Sequence, residues 1–213
     1  ISEIMLQQTR VEAVKPYFER FMAALPTVQA LAAVEDDRLM KLWEGLGYYT
    51  RARNLKKAAL MITERHGGEL PGSYDALLAL PGIGSYTAGA IASIAFGLPV
   101  PAVDGNVLRV ISRVLADRED IRQPAVKARM ERELKEIMPR ERTSQYNQGL
   151  IEVGAIVCVP GGEPRCAECP MESICLTRRQ GLWKEIPVRG ALKKRKMEEL
   201  TVCLIRRGKE VAI

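Results

Sequence analysis

The chain has 213 residues, 47% hydrophobic and 27% charged, with a formal net charge of +6. Those values describe a globular protein of one or two domains and exclude a disordered or low-complexity chain. No apolar run reaches the length needed to cross a membrane, and no signal-peptide pattern opens the chain. The basic excess is localised: residues 176–213 hold 11 Lys/Arg against 4 Asp/Glu, a net +7, which leaves −1 for residues 1–175. It is densest at Lys193-Lys194-Arg195-Lys196. Such a stretch suits a polyanion such as nucleic acid, or simply keeps a linker solvated; charge alone leaves both open.

Helical signals dominate to about residue 158. The chain opens with Ile1 inside an expected helix. Thr9 with Glu12 has the spacing of a capping box ahead of Val11–Leu25. Pro26 ends that segment and Thr27 is placed to cap the next. Further helices are expected over 36–45, 49–66, 73–80, 85–96, 106–116, 124–138 and 143–158, with Gly67-Gly68 and Pro81-Gly82 as terminators. Apolar residues recur at three and four positions, as in Leu55, Ala58, Ala59, Ile62 and in Val107, Val110, Ile111, Val114. Residues 181–200, with Gly181, Pro187, Gly190 and the basic cluster, read as a linker. Thr201–Arg206 then looks like a β-strand. Because the chain opens inside an expected helix and stops at Ile213 inside an apparent strand, it reads as a fragment.

Four cysteines fall within 18 residues, as Cys158-x7-Cys166-x2-Cys169-x5-Cys175. Four thiolates so close suit one soft metal centre, Zn²⁺ or an iron–sulfur cluster, and the spacing does not choose between them. Disulfides fit poorly in a long, otherwise Cys-poor chain. Cys203 stands apart, as a strand core residue. His66, the only histidine, reads as a helix-end residue.

Two stretches carry further chemistry. In Leu80-Pro81-Gly82-Ile83-Gly84, a tight turn leaves unshielded N–H groups ahead of a small-residue helix that starts at Ser85. That arrangement suits a phosphate oxygen, although many Gly-x-Gly turns only join helices. In Val103-Asp104-Gly105-Asn106-Val107, Asp104 lies at an expected helix N-cap, a routine structural position for Asp. It follows Gly84 by 20 residues.

Together these segments resemble the superfamily of helix-hairpin-helix DNA glycosylases. The cysteine run after the last helix narrows the resemblance to its endonuclease III-like branch, in which such cysteines ligate a [4Fe–4S] cluster. Three further features look like the MutY family of adenine DNA glycosylases: Ser2–Thr9 (SEIMLQQT), Leu42–Tyr49 (LWEGLGYY) followed by Arg51 and Arg53, and Tyr86. Bifunctional members carry a Lys at that last position, and a Tyr cannot attack a sugar as an amine. The first cysteine gap is seven residues, where the family usually shows six.

The resemblance implies an all-α, two-lobed helix-hairpin-helix glycosylase core followed by the start of an α+β domain. Its expected limits are residues 1–100 for a six-helix domain with the hairpin, 101–180 for an iron–sulfur cluster domain, 181–200 for a linker, and 201–213 for the first strand of a domain that recognises 8-oxoguanine. It implies a monofunctional enzyme of base excision repair that removes adenine mispaired with 8-oxoguanine, or with guanine, from double-stranded DNA. Glu3 is the implied acid that protonates the base, in a pocket to which Met5 and Leu6 contribute. Asp104 is the implied carboxylate that stabilises the sugar cation, positioned by Tyr86 and Asn106. Gln8 and Tyr48 match wedge residues that fill the gap left by a flipped base. Gln7 and Gln148 are polar contacts around that base, and Gly82, Gly84 and Ser85 hold the DNA backbone. Arg165, in the loop between the first two cysteines, is a further phosphate contact, and Trp183 packs near the cluster. The expected state is a monomer with no membrane partner, in a reducing cytoplasm, at the nucleoid if the source is bacterial. The rival readings are a bifunctional glycosylase/lyase for oxidised pyrimidines, a non-catalytic metal-stapled DNA-binding module and, least suited, an electron carrier.

Overall fold

A computed structural model describes residues 1–191, 197–199, 201, 206–207 and 210–211. The helices are α1 (Ser2–Met5), α2 (Val11–Ala24), α3 (Val28–Ala33), α4 (Asp36–Trp43), α5 (Thr50–Arg65), α6 (Tyr74–Leu78), α7 (Ser85–Phe96), α8 (Gly105–Leu115), α9 (Pro124–Ile137), α10 (Thr143–Glu152) and α11 (Leu176–Gln180). Two-residue strands β1 (Arg206–Arg207) and β2 (Glu210–Val211) pair antiparallel near the end. Among the described residues no helix is long and apolar enough to cross a membrane.

Three apolar clusters hold these helices. Met5, Phe21, Leu39 and Trp43 are fully enclosed where α1, α2 and α4 meet the start of α5. The Phe21 and Trp43 rings meet edge to face with centroids 6.0 Å apart. Ala58, Ile62, Leu77, Leu80, Ala88 and Ala92 join α5, α6 and α7. Val107, Leu108, Met130 and Leu134 join α8 and α9, with Tyr146 and Leu150 of α10 against them.

The small-residue helix α7 lets the second and third clusters approach. A Cβ on Gly89 would stand 2.4 Å from the Pro101 carbonyl oxygen, so the chain leading to Asp104 lies directly on the α7 backbone. Asn147 of α10 stitches the same seam. Its Oδ1 accepts from the Ala102 N–H at 2.9 Å, and its Nδ2 donates to Ser93 Oγ at 2.6 Å and to the Val100 carbonyl at 2.9 Å.

Most expected helices form within one or two residues of their limits, and Thr27 caps α3 by accepting from the Ala30 N–H at 3.0 Å. The capping box at Thr9 does not form. The Thr9 hydroxyl donates back to the Gln7 carbonyl, Glu12 pairs with Lys15, and Arg10 takes the N-cap position without a side-chain bond. The helix expected over 143–158 is α-helical only to Glu152; Val153–Val157 widen into a π-turn. Helix α11 follows Cys175 directly and was not expected. Lys193–Lys196, Cys203 and most of the expected strand 201–206 lie outside the described residues; Arg206 opens β1.

Asn147→Ala would strip three buried polar partners at once. An unsatisfied buried group costs on the order of 1–3 kcal/mol, so the variant should lose about 3 kcal/mol of unfolding free energy, measured by urea denaturation at unchanged m-value.

Candidate active site

Asp104 is the N-cap of α8. Its Oδ1 accepts from the Asn106 and Val107 N–H groups, both at 2.8 Å, and its Oδ2 accepts from Asn106 Nδ2 at 2.9 Å. Asn106 is held in turn by Arg109, whose Nη2 donates to Asn106 Oδ1 at 2.8 Å. The buried Arg109 also donates to the Gly154 carbonyl at 2.7 Å and to the Cys158 carbonyl at 2.8 Å. Thus an unbroken set of bonds runs from the Asp104 carboxylate to the backbone of the first cysteine. Gly154, in the π-turn, makes the approach possible: a Cβ there would lie 2.6 Å from Asn106 Cβ.

Glu3 sits half-buried on α1, which packs against α7. Burial pushes its carboxyl up from the ordinary value. Tyr86, at the second position of α7, is also half-buried. Its phenol is pushed well up by burial, and then by the negative charges of Glu3 and Asp104. The structure therefore brings Glu3 and Asp104 each within electrostatic reach of Tyr86, although the two lie about a hundred residues apart in the chain. Met5 is enclosed in the first core, whereas Leu6 stays partly exposed. Gln148 is exposed on α10 and donates to Ser144 Oγ at 2.7 Å, a turn earlier on its own helix.

The turn before α7 has an open face. Gly82 adopts φ +80°, and a Cβ there would stand 2.8 Å from Asn54 Cβ, so both backbone and packing require glycine. Gly84 is the α7 N-cap, and a Cβ there would meet nothing within 4 Å. Ser85 accepts from Lys127 Nζ of α9 at 2.9 Å. Gln7 Nε2 donates to the Gly82 carbonyl at 3.3 Å and to Thr87 Oγ1 at 3.2 Å, which ties the chain after α1 to this turn. Gln8 and Tyr48 are both exposed, and both hold left-handed backbone, at φ 57° and 49°. Such conformations cost L-residues and gather at functional positions.

The four thiols of Cys158, Cys166, Cys169 and Cys175 are unpaired and line one cavity of about 460 Å³, shared with Arg113 and Trp183. Arg113 Nη1 lies 3.2 Å from Cys158 Sγ, a cationic donor toward the sulfur. Among the described residues no group of three or more His, Cys, Asp or Glu side chains is arranged to hold a single metal ion. Four thiols lining one cavity are a donor set that suits a soft metal centre, Zn²⁺ or an iron–sulfur cluster alike. Arg165 and Trp183 both line that cavity. Residues missed from sequence are Arg109, Arg113, Asn147 and Gly154, and Arg51 figures there only as part of a segment, without a role; the arginines' partners are mostly remote backbone carbonyls.

A family model described as "HhH-GPD superfamily base excision DNA repair protein" matches residues 1–140. The chain belongs to that superfamily. Curated relatives named adenine DNA glycosylase include one from Schizosaccharomyces pombe, 44% identical over 82% of this chain and 38% of its own length. Another, from Homo sapiens, is 41% identical over 90% of this chain and 35% of its own. A third, from Buchnera aphidicola, is 35% identical over 91% and 55%. The chain thus spans between about a third and just over half of these relatives, and they bear out its resemblance to the adenine branch. Among solved structures, a thermostable thymine-DNA glycosylase superposes with a TM-score of 0.76 at 27% identity, covering 84% of this chain and 82% of that one. A non-covalent endonuclease III–DNA complex gives 0.71 at 28% identity over the same shares, which bears out the expected fold.

Two outcomes follow from this geometry. The raised folded-state carboxyl of Glu3 contributes stability that is present at low pH and lost as pH rises through its folded value. Glu3→Gln should therefore raise the thermal midpoint at neutral pH and leave it unchanged below about pH 4, near the ordinary carboxylate value. Gly154→Ala forces a methyl against Asn106 and should cost about 1–3 kcal/mol, as overpacking does, by chemical denaturation.

Proposed function

We propose that this protein removes adenine from duplex DNA by hydrolysing its N-glycosidic bond, with adenine opposite 8-oxoguanine as the preferred substrate. The observation that carries the reading is the setting of Tyr86, a phenol subject to both Glu3 and Asp104. Two carboxylates in unlike environments are what this chemistry asks for. Adenine leaves poorly unless protonated, and bond cleavage builds positive charge on the sugar. Glu3, whose carboxyl burial holds protonated to higher pH, supplies the proton to adenine N7. Asp104 faces the cation as a carboxylate, fixed in orientation by the two N–H groups and the Asn106 amide. Tyr86 is a positioning group: its neutral phenol offers one proton and no amine, so strand cleavage through a Schiff base has no nucleophile there.

DNA would lie across the exposed face that carries Gly82, Gly84, Ser85, Gln8 and Tyr48. The hairpin offers N–H groups at the α7 N-terminus to a phosphate. Gln8 and Tyr48 fill the stack when adenine turns out, and Gln7 and Gln148 contact the extruded base. Cys158, Cys166, Cys169 and Cys175 would hold a [4Fe–4S] cluster. That group supplies a rigid, anionic anchor for the segment around residues 158–175 and no base chemistry.

The test is a duplex with adenine opposite 8-oxoguanine beside an A·T control, with strands resolved with and without hot alkali. Alkali-dependent breaks at the adenine, absent from the control, are expected. Glu3→Gln should lower the single-turnover rate about 10²–10⁴-fold and abolish its fall with rising pH; Asp104→Asn should lower it about 10²–10³-fold. Breaks without alkali, or borohydride trapping of protein on DNA, would instead establish a lyase. No cleavage by folded protein would sink the enzymatic reading.

A further inference from the structure

We infer that Arg51 is a positioning residue that locks the two DNA-facing loops, before α2 and before α5, into one two-pronged wedge. What the prongs do rests on the proposed adenine excision; the lock rests on geometry alone.

Arg51 sits at the second position of α5 and is buried. Its Nη1 donates to the carbonyls of Met5 and Gln7, both at 2.6 Å, and to that of Ile4 at 3.3 Å. Its Nη2 donates to the carbonyls of Leu46 at 3.3 Å and Gly47 at 3.2 Å. One guanidinium nitrogen thus serves each loop. Gln7 and Gly47 immediately precede Gln8 and Tyr48, which among the described residues are the two exposed non-glycine residues in left-handed backbone. The peptide groups leading into both prongs are therefore turned inward onto the same cation. Strain of this kind persists only where surrounding bonds fix the backbone. The guanidinium also lies over the rings of Tyr48, at 5.3 Å, and Trp43, at 5.5 Å. The Tyr48 ring is thereby steadied from below while its outer face stays open. A lysine cannot reproduce this: its three donors radiate from one point and cannot span two loops as a planar fork does.

Arg51→Lys is the first test, in two arms. Amide exchange of the free protein should accelerate about tenfold or more in residues 6–10 and in 44–49 together, while α9 and α10 are unaffected. Single-turnover adenine release from the 8-oxoguanine duplex should fall about 10–100-fold, yet recover to within a few-fold of wild type when the adenine is presented unpaired in a bulge. A merely structural role would lower both substrates alike. Equal loss on both, or faster exchange in one loop or neither, would overturn the inference. If Arg51→Lys does not fold, a cycle of Gln8→Ala and Tyr48→Ala in the Arg51 background decides it. Locked prongs predict that the double variant loses less than the product of the single losses, and multiplicative losses would overturn the lock. Failure of the functional reading is separate: wild type would then release adenine from neither substrate, and the exchange arm would still decide whether Arg51 couples the loops.

Discussion

The N-cap of α8 is the constraint on which the rest of the site depends. A helix start leaves N–H groups without partners, and Asp104 supplies them with oxygen. That duty fixes the carboxylate in space, and Asn106 closes a second bond around it. Asn106 is in turn fixed by Arg109, a buried cation whose acceptors lie on the π-turn and at Cys158. A buried guanidinium must find acceptors with good geometry or cost several kcal/mol. The segment that carries the first cysteine therefore cannot shift without disturbing what orients Asp104. Placing four thiols and placing one carboxylate are a single packing problem here.

Close backbone approach solves that problem, and glycine is the means at each contact. Gly154 lets the π-turn touch Asn106, Gly89 lets α7 touch Pro101, and Gly82 lets the hairpin lie on Asn54. The exposed loops follow the opposite rule. There Gln8 and Tyr48, which are not glycines, hold left-handed backbone because a buried Arg51 gathers the carbonyls beneath them. Glycine serves where backbones must meet; strained side chains stand where something must project. The two devices join through Gln7, whose carbonyl is held by Arg51 and whose amide reaches the hairpin at Gly82.

Much of this was legible in the chain, where the signal is local. Four closely spaced cysteines, an Asp ahead of a periodic apolar run, and a Pro-Gly-x-Gly turn before small residues each carry their meaning within a few positions. The arginines carry none. Arg51, Arg109 and Arg113 look like surface residues of amphipathic helices, and their burial is decided by carbonyls as far as 73 positions away. The failed capping box at Thr9 belongs to the same loop: the hydroxyl donates to the Gln7 carbonyl that Arg51 also holds, and α2 starts one residue later than the box requires, with Arg10 as N-cap. The π-turn at Val153–Val157 was likewise invisible, because the contact at Asn106 rather than any local propensity accompanies it. Glu3 could be singled out only through resemblance. On a first helical turn an acid is ordinary, and only the packing of α1 on α7 buries it.

The electrostatics of Tyr86 complete the division of labour between the two carboxylates. Burial and two negative neighbours keep its phenol protonated across the working range. A neutral phenol has one proton to donate and two carboxylates bearing on it, so it cannot serve both equally. Asp104 is already supplied by two backbone N–H groups and the Asn106 amide. Glu3 is the group that burial pushes toward its protonated form. Burial thus suits Glu3 to the acid's part in the proposed reaction. A tyrosine at this position suits a site that only hydrolyses.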